Sequence, residues 1–164
     1  MTGIIAQVTS DLIRVLSSAL AGDGIRVAAE YPDKARPSPL SRQVVAVGIQ
    51  DAEVLPCALA DFAGLDEDGG GVFARSLELT AALSVCCPTG DEAAGCQEVF
   101  SKLCDALLFG GLAYEVKRVW CGKVTYDREL GALVLPCYAR LRLAVQASEG
   151  GDEALDFVIR RVSL

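Results

Sequence analysis

Seven cysteines are the residues of this chain with the greatest capacity for chemistry, and the chain has no histidine to accompany them. A thiol acts as a nucleophile or metal ligand only as the thiolate, which needs a neighbouring base or a converging set of ligands. No CxxC motif is present, and Cys96 and Cys104 lie eight residues apart on one face of a predicted helix. The cysteines are Cys57, Cys86, Cys87, Cys96, Cys104, Cys121 and Cys137. Since they fall within apolar stretches, we predict reduced, buried thiols, no metal site and no cofactor.

Two groups of carboxylates could in principle carry acid–base chemistry. They are Asp127 with Glu129, and Asp66 with Glu67 and Asp68. Both groups lie among turn residues, where carboxylates commonly accept local backbone hydrogen bonds. The second group lacks the alternating oxygen ligands and terminal glutamate of a calcium-binding EF-hand loop. We therefore expect no catalytic residues, and a protein that is not an enzyme.

Composition limits the classes of protein that this chain can belong to. Its 164 residues suffice for one domain with a real core. The net charge of −7 argues against binding nucleic acid through broad phosphate neutralisation. Hydrophobic residues make up 52% of the chain, which fits either a well-filled core or apolar surface covered by a partner. Composition does not choose between these two interpretations.

The start of the chain predicts no targeting and no membrane association. Residues 1–7 lack a basic segment and a cleavage site, and no apolar run approaches transmembrane length. We expect a protein that is cytoplasmic at synthesis.

Two segments with apolar residues at three- and four-residue steps predict amphipathic helices. The first helix covers residues 3–20, with Thr2 as its N-cap. The second begins with Thr89 and Glu92 as a capping box and ends before Gly110. Its predicted buried stripe consists of Cys96, Val99, Phe100, Leu103, Cys104, Leu107 and Leu108.

Alternating or β-branched segments predict strands around these helices. The predicted strands cover residues 25–31, 43–50, 53–60, 73–85, 114–121, 133–145 and 155–160. A turn is expected at 51–52, a proline-rich polar loop at 32–42, and a mobile, acidic, glycine-rich loop at 61–71. This order predicts an α+β fold with two layers, in which two amphipathic helices cover one face of a mostly antiparallel sheet. We assign residues 1–147 to this domain and residues 148–164 to a C-terminal arm or edge strand.

Long charged side chains on the sheet face away from the helices are the main candidates for binding. Arg140 and Arg142 lie on the solvent side of the longest alternating strand, and Glu78 lies on the strand before the second helix. Such charges pair across strands within one sheet, or they set register and partner choice at a subunit interface. Trp120 and Tyr138 are natural anchors for the second arrangement.

The residues that we predict at contacts with other proteins lie in two loops, on the sheet and in the arm. They are Lys34, Arg36 and Arg42 in the proline loop, Asp66, Glu67 and Asp68 in the acidic loop, Trp120, Tyr138, Arg140 and Arg142 on the sheet, and Phe157 and Ile159 in the arm. Replacing both Phe157 and Ile159 with Asp should block assembly and leave the monomer folded.

Three regions of the chain resemble the tail terminator, or tail-completion, proteins of tailed bacteriophages and related prophage particles. The first is the helix over 4–20 leading into the strand over 25–31. The second is the strand over 73–85 followed by the Pro88-Thr89-Gly90 turn into the second helix. The third is residues 122–127 followed by the long strand to Val145. The resemblance is one of architecture and spacing, and it spans most of the chain.

This resemblance implies a structural virion protein with no catalytic activity. Such a protein forms a homohexameric ring that caps the tail tube, ends tail polymerisation and prepares the tail for head joining. Its implied partners are further copies of itself, the tail tube protein, and the sheath and head–tail connector proteins, with DNA passing through the ring unrecognised. Its implied location is the host cytoplasm during assembly and then the head-proximal end of a contractile or non-contractile tail.

Two other classes of function stay open at this point. One is a different head–tail connector or adaptor subunit, which differs in the surface that docks. The other is a small-molecule-binding α+β domain, which requires an apolar pocket between the second helix and the sheet.

Overall fold

The computed structural model describes residues 3–30, 39–57, 61–147 and 157–160. Within these ranges the chain forms two α-helices and eight strands. In chain order they are α1 (Ile4–Leu20), β1 (Arg26–Ala29), β2 (Val44–Pro56), β3 (Phe62–Leu65), β4 (Gly71–Pro88), α2 (Glu92–Phe109), β5 (Glu115–Cys121), β6 (Thr125–Asp127), β7 (Ala132–Ala147) and β8 (Phe157–Arg160). The predicted α+β class is confirmed.

The strands form one sheet whose main path runs β1-β2-β4-β7-β5. Strand β1 pairs with β2 in parallel, whereas the other pairings between described strands are antiparallel. Strand β3 pairs with β4, while β6 and β8 both pair with β7. The mostly antiparallel sheet predicted from the sequence is therefore confirmed, and β5 lies at one end of its main path.

One face of this sheet carries the core, because alternate residues of β4 and β7 point toward the helices. Leu79 pairs with Leu141 across the two strands, and both side chains are fully buried. Helix α1 packs on this face through Leu12 and helix α2 through Leu103, and all four leucines belong to one apolar cluster. Since the helices share this cluster, both cover the same face, as the sequence predicts.

Helix α1 and the turn after it form the one segment of the described residues that could cross a membrane by length and composition. It covers Ile4–Asp23 and contains an 18-residue window with a mean hydropathy of 1.3, so the expectation that no apolar run approaches transmembrane length is wrong. The buried residues of this helix are Val8, Leu12, Val15, Leu16 and Leu20. They recur at three- and four-residue steps and pack against the sheet.

A hydrogen bond ties α1 to the segment that enters β5. The Tyr114 hydroxyl donates to Oδ2 of Asp11 over 2.5 Å, and Tyr114 is 7% exposed. Burial, followed by this hydrogen bond, raises the pKa of the phenol, so that it stays protonated at neutral pH.

Replacing Tyr114 with Phe removes this donor, and we expect the free energy of unfolding to fall by about 1 kcal/mol. Urea denaturation at pH 7 measures the loss. The matched control is Tyr126→Phe, because Tyr126 is 55% exposed and its substitution should change stability by less than about 0.5 kcal/mol. Equal effects of the two substitutions would show that the hydroxyl of Tyr114 contributes nothing specific.

Strand β2 is one continuous element, so the predicted turn at 51–52 is wrong, and residues 53–56 continue β2 and do not form a separate returning strand. Residues 58–60 of the predicted second strand lie outside the described residues. The register of β2 against β4 shifts between Ile49 and Asp51. This β-bulge leaves one extra residue in β2 and reverses the face on which the following side chains lie. Ile49 therefore points toward the helices, whereas Asp51 pairs with Thr80 on the opposite face.

The acidic, glycine-rich segment predicted as a mobile loop is instead the end of a hairpin. Strand β3 pairs with the first residues of β4, with Phe62 opposite Phe73 and Leu65 opposite Gly71. The turn between them contains Gly69 at a φ of 81°, which glycine adopts without steric cost.

The helix ends also differ from the sequence predictions. Helix α1 begins after Gly3, and helix α2 begins after a single 3₁₀ turn over Thr89–Asp91; neither N-cap residue makes a side-chain capping bond. Glu92 has a φ of 56°, a conformation that the third residue of a regular capping box cannot adopt. On α2, Leu108 is 53% exposed and Ala106 is buried in its place, so the predicted buried stripe is wrong at that position.

Candidate functional site

The sheet face opposite the helices, called here the helix-free face, carries a group of polar and charged side chains from three strands. They are Asp51 and Glu53 on β2, Ser76, Glu78 and Thr80 on β4, and Arg140 and Arg142 on β7. Directly paired residues of an antiparallel sheet share a face, which places all seven together. Without the bulge in β2, its two carboxylates would point toward the core instead.

Arg140 is the centre of this group. Its Nη1 donates to Oδ1 of Asp51 over 2.6 Å and to the hydroxyl of Thr80 over 2.9 Å. Its Nη2 lies 3.4 Å from Oε2 of Glu78 and 3.7 Å from Oε2 of Glu53. The side chain is 26% exposed, so these ion pairs are only partly screened by water.

Arg142 lies two residues after Arg140 on the same face of β7, directly opposite Glu78 of β4. Its Nε donates to the hydroxyl of Ser76 over 2.8 Å and lies 4.0 Å from Oε1 of Glu78. Ser76 is 1% exposed. The predicted pairing of charges across strands is therefore confirmed for both arginines.

The two predicted aromatic anchors lie together on the same face. Trp120 pairs with Tyr138 across β5 and β7, and their rings stack with centroids 5.4 Å apart. The guanidinium carbon of Arg118 lies 4.9 Å from the centroid of the indole. Arg118 and Trp120 share a side because they are two residues apart on β5, and a register shift between Val116 and Arg118 places both of them on the helix-free face.

A second apolar cluster lies on the helix-free face at the end of the sheet near β6. It consists of Leu40, Val44, Cys86 and Ala132, with Leu130 and Val134 packed against it. Sequence reasoning did not predict this cluster. The signal was the unbroken apolar run at the start of β2, which is typical of a strand buried on both faces.

The far end of the β2–β4 hairpin, together with β3, forms what we call the ribbon, residues 51–56 and 61–77. Val54 pairs with the core residue Leu77 and thus lies on the same side of the sheet as the helices. Phe73 lies on that side as well, since it follows the same alternation along β4. Leu77 is 3% exposed, whereas Phe73 is 57% exposed, so this side changes from buried to exposed along the ribbon.

Four exposed apolar side chains share this side of the ribbon and are called the ribbon patch. They are Val54, Phe62, Leu65 and Phe73, with exposed fractions of 56%, 43%, 68% and 57%. The two phenylalanine rings pack edge to face with centroids 5.8 Å apart. A side-chain carbon added at Gly71 would lie 3.3 Å from the Phe73 ring and 3.6 Å from the Phe62 ring, so both rings lie over this glycine. The sequence signal that was missed is an acidic turn flanked by apolar residues on both sides.

The three predicted contact residues of the acidic loop lie at the tip of the ribbon and have two different roles. Oδ1 of Asp66 accepts hydrogen bonds from the backbone N–H groups of Gly70, at 2.6 Å, and Asp68, at 3.0 Å. This carboxylate therefore closes the turn. Glu67 and Asp68 are exposed, and their side chains remain available as negative charges at the tip.

The seven thiols are all free, but they are not all buried. Cys121 is exposed at the end of β5, and Cys57 and Cys104 are half-buried, so the prediction of buried cysteines is wrong for these three. Cys121 pairs with Cys137 across β5 and β7, on the face of the sheet that carries the helices. The reason for the miss is that apolar sequence neighbours do not ensure burial at a strand end.

Two of the buried thiols, those of Cys87 and Cys137, are poor nucleophiles. Burial, and to a lesser extent the neighbouring thiols of Cys121 and Cys104, raises the pKa of Cys137 to about 12. Burial, followed by a hydrogen bond with Cys96, raises the pKa of Cys87 as well. Both groups are therefore protonated at neutral pH, when nucleophilic chemistry requires the thiolate.

These raised pKa values predict a loss of stability at high pH. The thiol of Cys137 ionises near pH 9.0 when its pKa is unperturbed and near pH 12 in the folded chain, so its contribution is complete below pH 9.0. Above that pH the unfolded state releases a proton that the native state retains, and stability decreases by about 1.4 kcal/mol per pH unit for each such thiol. Urea denaturation between pH 7 and 11 should show a constant value followed by this decline.

The variant Cys137→Ala tests the origin of the decline, because its slope above pH 9 should be shallower by one thiol. Leu135→Val is the packing control: Leu135 is a buried neighbour on β7 that does not titrate, so stability should fall at every pH with an unchanged slope. Identical slopes for wild type and Cys137→Ala would contradict the assignment.

The space between α2 and the sheet is filled by apolar side chains. Cys96, Val99 and Leu103 of the helix and Leu83 and Leu135 of the sheet belong to one cluster and are at most 2% exposed. A bound small molecule at this position would have to displace these side chains. Among the described residues, no group of three or more cysteines, aspartates or glutamates is arranged to hold a metal ion.

The remaining predicted contact residues have separate locations. Arg42 is exposed just before β2. Lys34 and Arg36 lie outside the described residues. Phe157 and Ile159 belong to β8, where they pair through the backbone with Ala147 and Val145. Thus the structure brings Trp120, Tyr138, Arg140 and Arg142 onto one face, and it places the acidic loop at the ribbon tip.

The geometry defines a two-layer α+β protein with a charged, helix-free sheet face and a ribbon that exposes apolar side chains on one side. A scan against models of known protein families finds no match, and a search of curated proteins finds none either.

Proposed function

We propose that this chain is a structural subunit of a tailed phage or prophage-derived particle, and that it forms a homohexameric ring on the end of the tail tube. The ring ends tube polymerisation and prepares the tail for head joining. The observation that carries the proposal is the ribbon patch, in which four large apolar side chains share one exposed surface. Such patches on soluble proteins mark sites of association with other proteins.

The chemistry of the remaining surface supports an assembly role over catalysis. The charged residues of the helix-free face satisfy one another through Arg140 and Arg142, as expected for a rigid scaffold. The thiols of Cys87 and Cys137 are protonated, and the interior beside α2 is filled. The negative net charge suits a ring through which DNA passes without binding.

The proposed partners follow from this role. They are further copies of the chain, the tail tube protein, and the sheath and head–tail connector proteins of the same particle. The proposed location is the host cytoplasm during assembly and then the head-proximal end of the tail.

The experiment that tests the proposed function measures tube length. Tube protein from the parent particle is polymerised with and without the purified chain, and the tubes are imaged by negative-stain electron microscopy. We expect tubes of uniform, limited length with a density at one end when the chain is present, and tubes of variable length in its absence. Tubes whose length distribution is the same in both samples would overturn the proposal.

A variant that cannot fold provides a control for nonspecific effects of added protein on tube length. Leu12→Asp introduces a charge at a fully buried position of α1 and should prevent folding. Tubes assembled with this variant should have the length distribution of tubes assembled alone.

A further inference from the structure

The ribbon and the β5 edge of the sheet carry complementary chemistry. One side of the ribbon carries the ribbon patch together with Arg75, which is ion-paired with Asp61, and the tip of the ribbon is acidic, with Glu67 and Asp68 exposed. Strand β5 is an edge strand within the described part of the chain, because it pairs with β7 alone. Lys117, Arg118 and the following Lys123 are all exposed there.

The region beside this edge is apolar as well. Helix α2 packs against β5 and ends at Phe109, six residues before the strand begins. Phe109 is 81% exposed and Leu108 is 53% exposed. We define the receiving surface as Leu108 and Phe109 together with Lys117 and Lys123.

We propose that the ribbon of one copy docks on the receiving surface of a second copy of this chain, which rests on the proposed function and deepens it by naming the contact that closes the ring. The ribbon patch packs against Leu108 and Phe109, while Glu67 and Asp68 lie against the lysines beside β5. In the proposed contact each copy docks its ribbon on the next copy head to tail, which is a heterologous contact. A heterologous contact repeats from copy to copy and closes into a ring when the rotation permits.

Charge explains why the occupant is another copy. Residues 61–71 contain four acidic and no basic residues, whereas residues 115–123 contain three basic residues and one acidic residue. Each region repels its own kind and attracts the other, which disfavours ribbon-to-ribbon and edge-to-edge contacts between copies.

Charge reversal on the two surfaces tests the proposal. The tip variant carries Glu67→Lys and Asp68→Lys, and the edge variant carries Lys117→Glu and Lys123→Glu. Asp66 stays unchanged because its carboxylate closes the turn, and Arg118 stays unchanged because it lies over Trp120. Sedimentation velocity and native mass spectrometry at low salt should show wild-type rings and self-association about a hundredfold weaker for each variant alone.

Mixing the variants provides the decisive measurement. In a mixture of equal amounts, each reversed tip meets a reversed edge and each native tip meets a native edge, so rings of alternating subunits should form again. A single chain that carries all four substitutions should also assemble. Rings from either variant alone, or no recovery in the mixture, overturn the proposal.

The apolar half of the contact has its own matched pair of variants. Phe73→Ser removes an aromatic side chain that is 57% exposed in the ribbon patch, and Tyr126→Ser removes one that is 55% exposed on β6, outside both surfaces. Circular dichroism should show both variants folded, and Phe73→Ser alone should weaken self-association by at least about tenfold. Equal association of the two variants overturns the role of the ribbon patch.

The tube-length measurement separates this proposal from the proposed function. If the wild-type chain stays monomeric in solution yet ends tube growth, the proposed contact is wrong and the proposed function holds. If the chain forms rings through this contact yet leaves tube length unchanged, the contact holds and the proposed function is wrong.

Discussion

Replacing Leu103 with Ala should lower the free energy of unfolding by about 3 kcal/mol, which is the largest effect expected of any single truncation discussed for this chain. Leu103 is 0% exposed and lies in the middle of α2. It belongs to the same apolar cluster as Leu83 and Leu135, which lie on two neighbouring strands. The substitution removes apolar contacts with both strands and leaves a cavity that the rigid sheet cannot close. Urea denaturation measures the change in midpoint, and the slope should stay constant.

Leu108 on the same helix provides the control. Leu108→Ala makes the same chemical change at a position that is 53% exposed. Because Leu and Ala both favour helices, we expect a change of less than about 0.5 kcal/mol. A similar loss for both variants would mean that α2 does not pack on the sheet as the structure describes.

The second large effect is expected at the centre of the helix-free face. Arg140→Met keeps most of the side-chain volume and removes the guanidinium that contacts Asp51, Glu53 and Glu78. The side chain of Glu78 is 23% exposed and would keep only Arg142, at 4.0 Å, as an ionic partner. We expect the free energy of unfolding at pH 7 to fall by about 2 kcal/mol.

Two further measurements identify the cause of this loss. Glu78→Gln combined with Arg140→Met should cost less than the sum of the single substitutions, because the double variant no longer leaves a half-buried carboxylate without its main partner. Arg14→Met is the surface control, since Arg14 is 73% exposed and contacts only Asp11 among the ion pairs of the described residues; its effect should stay within about 0.5 kcal/mol. Additive effects in the double variant would contradict the pairing.

The core of the fold could be predicted from the sequence because its signal is periodic. Alternation over 73–85 and 133–145 identified β4 and β7, and three- and four-residue steps identified both helices. Both signals follow from the geometry of the backbone and depend on no distant contact. The pairing of Arg140 and Arg142 with Glu78 followed from the same alternation along β4 and β7.

The remaining features could not be predicted because they depend on an interruption of that periodicity. The bulge after Ile49 joins what looks like two strands and a turn into β2 alone. Glycines and acidic residues near the ribbon tip indicated a mobile loop, although the same residues form a turn that Asp66 closes through backbone hydrogen bonds. In both places the pairing with β4 overrides the local propensity of the sequence.

The candidate site was predicted in part. Trp120, Tyr138, Arg140 and Arg142 share one face as expected, because they alternate along two neighbouring strands. The ribbon patch was missed, since its members come from β2, β3 and β4 and meet only when the register is known. Leu108 and Phe109 were missed as a surface because the end of α2 extends past the apolar stripe.

The bulge in β2 also restricts how this chain can change in length during evolution. Deleting Gln50 itself would remove the extra residue and keep Asp51 and Glu53 on the helix-free face, but deleting one residue after it, such as Ala52, would turn Glu53 toward the leucines beneath the helices. Two residues added together to each strand of the hairpin would preserve the orientation of every side chain and simply lengthen it. Descendants of this chain can therefore acquire a longer hairpin in steps of two residues per strand, and single insertions there should be eliminated by selection.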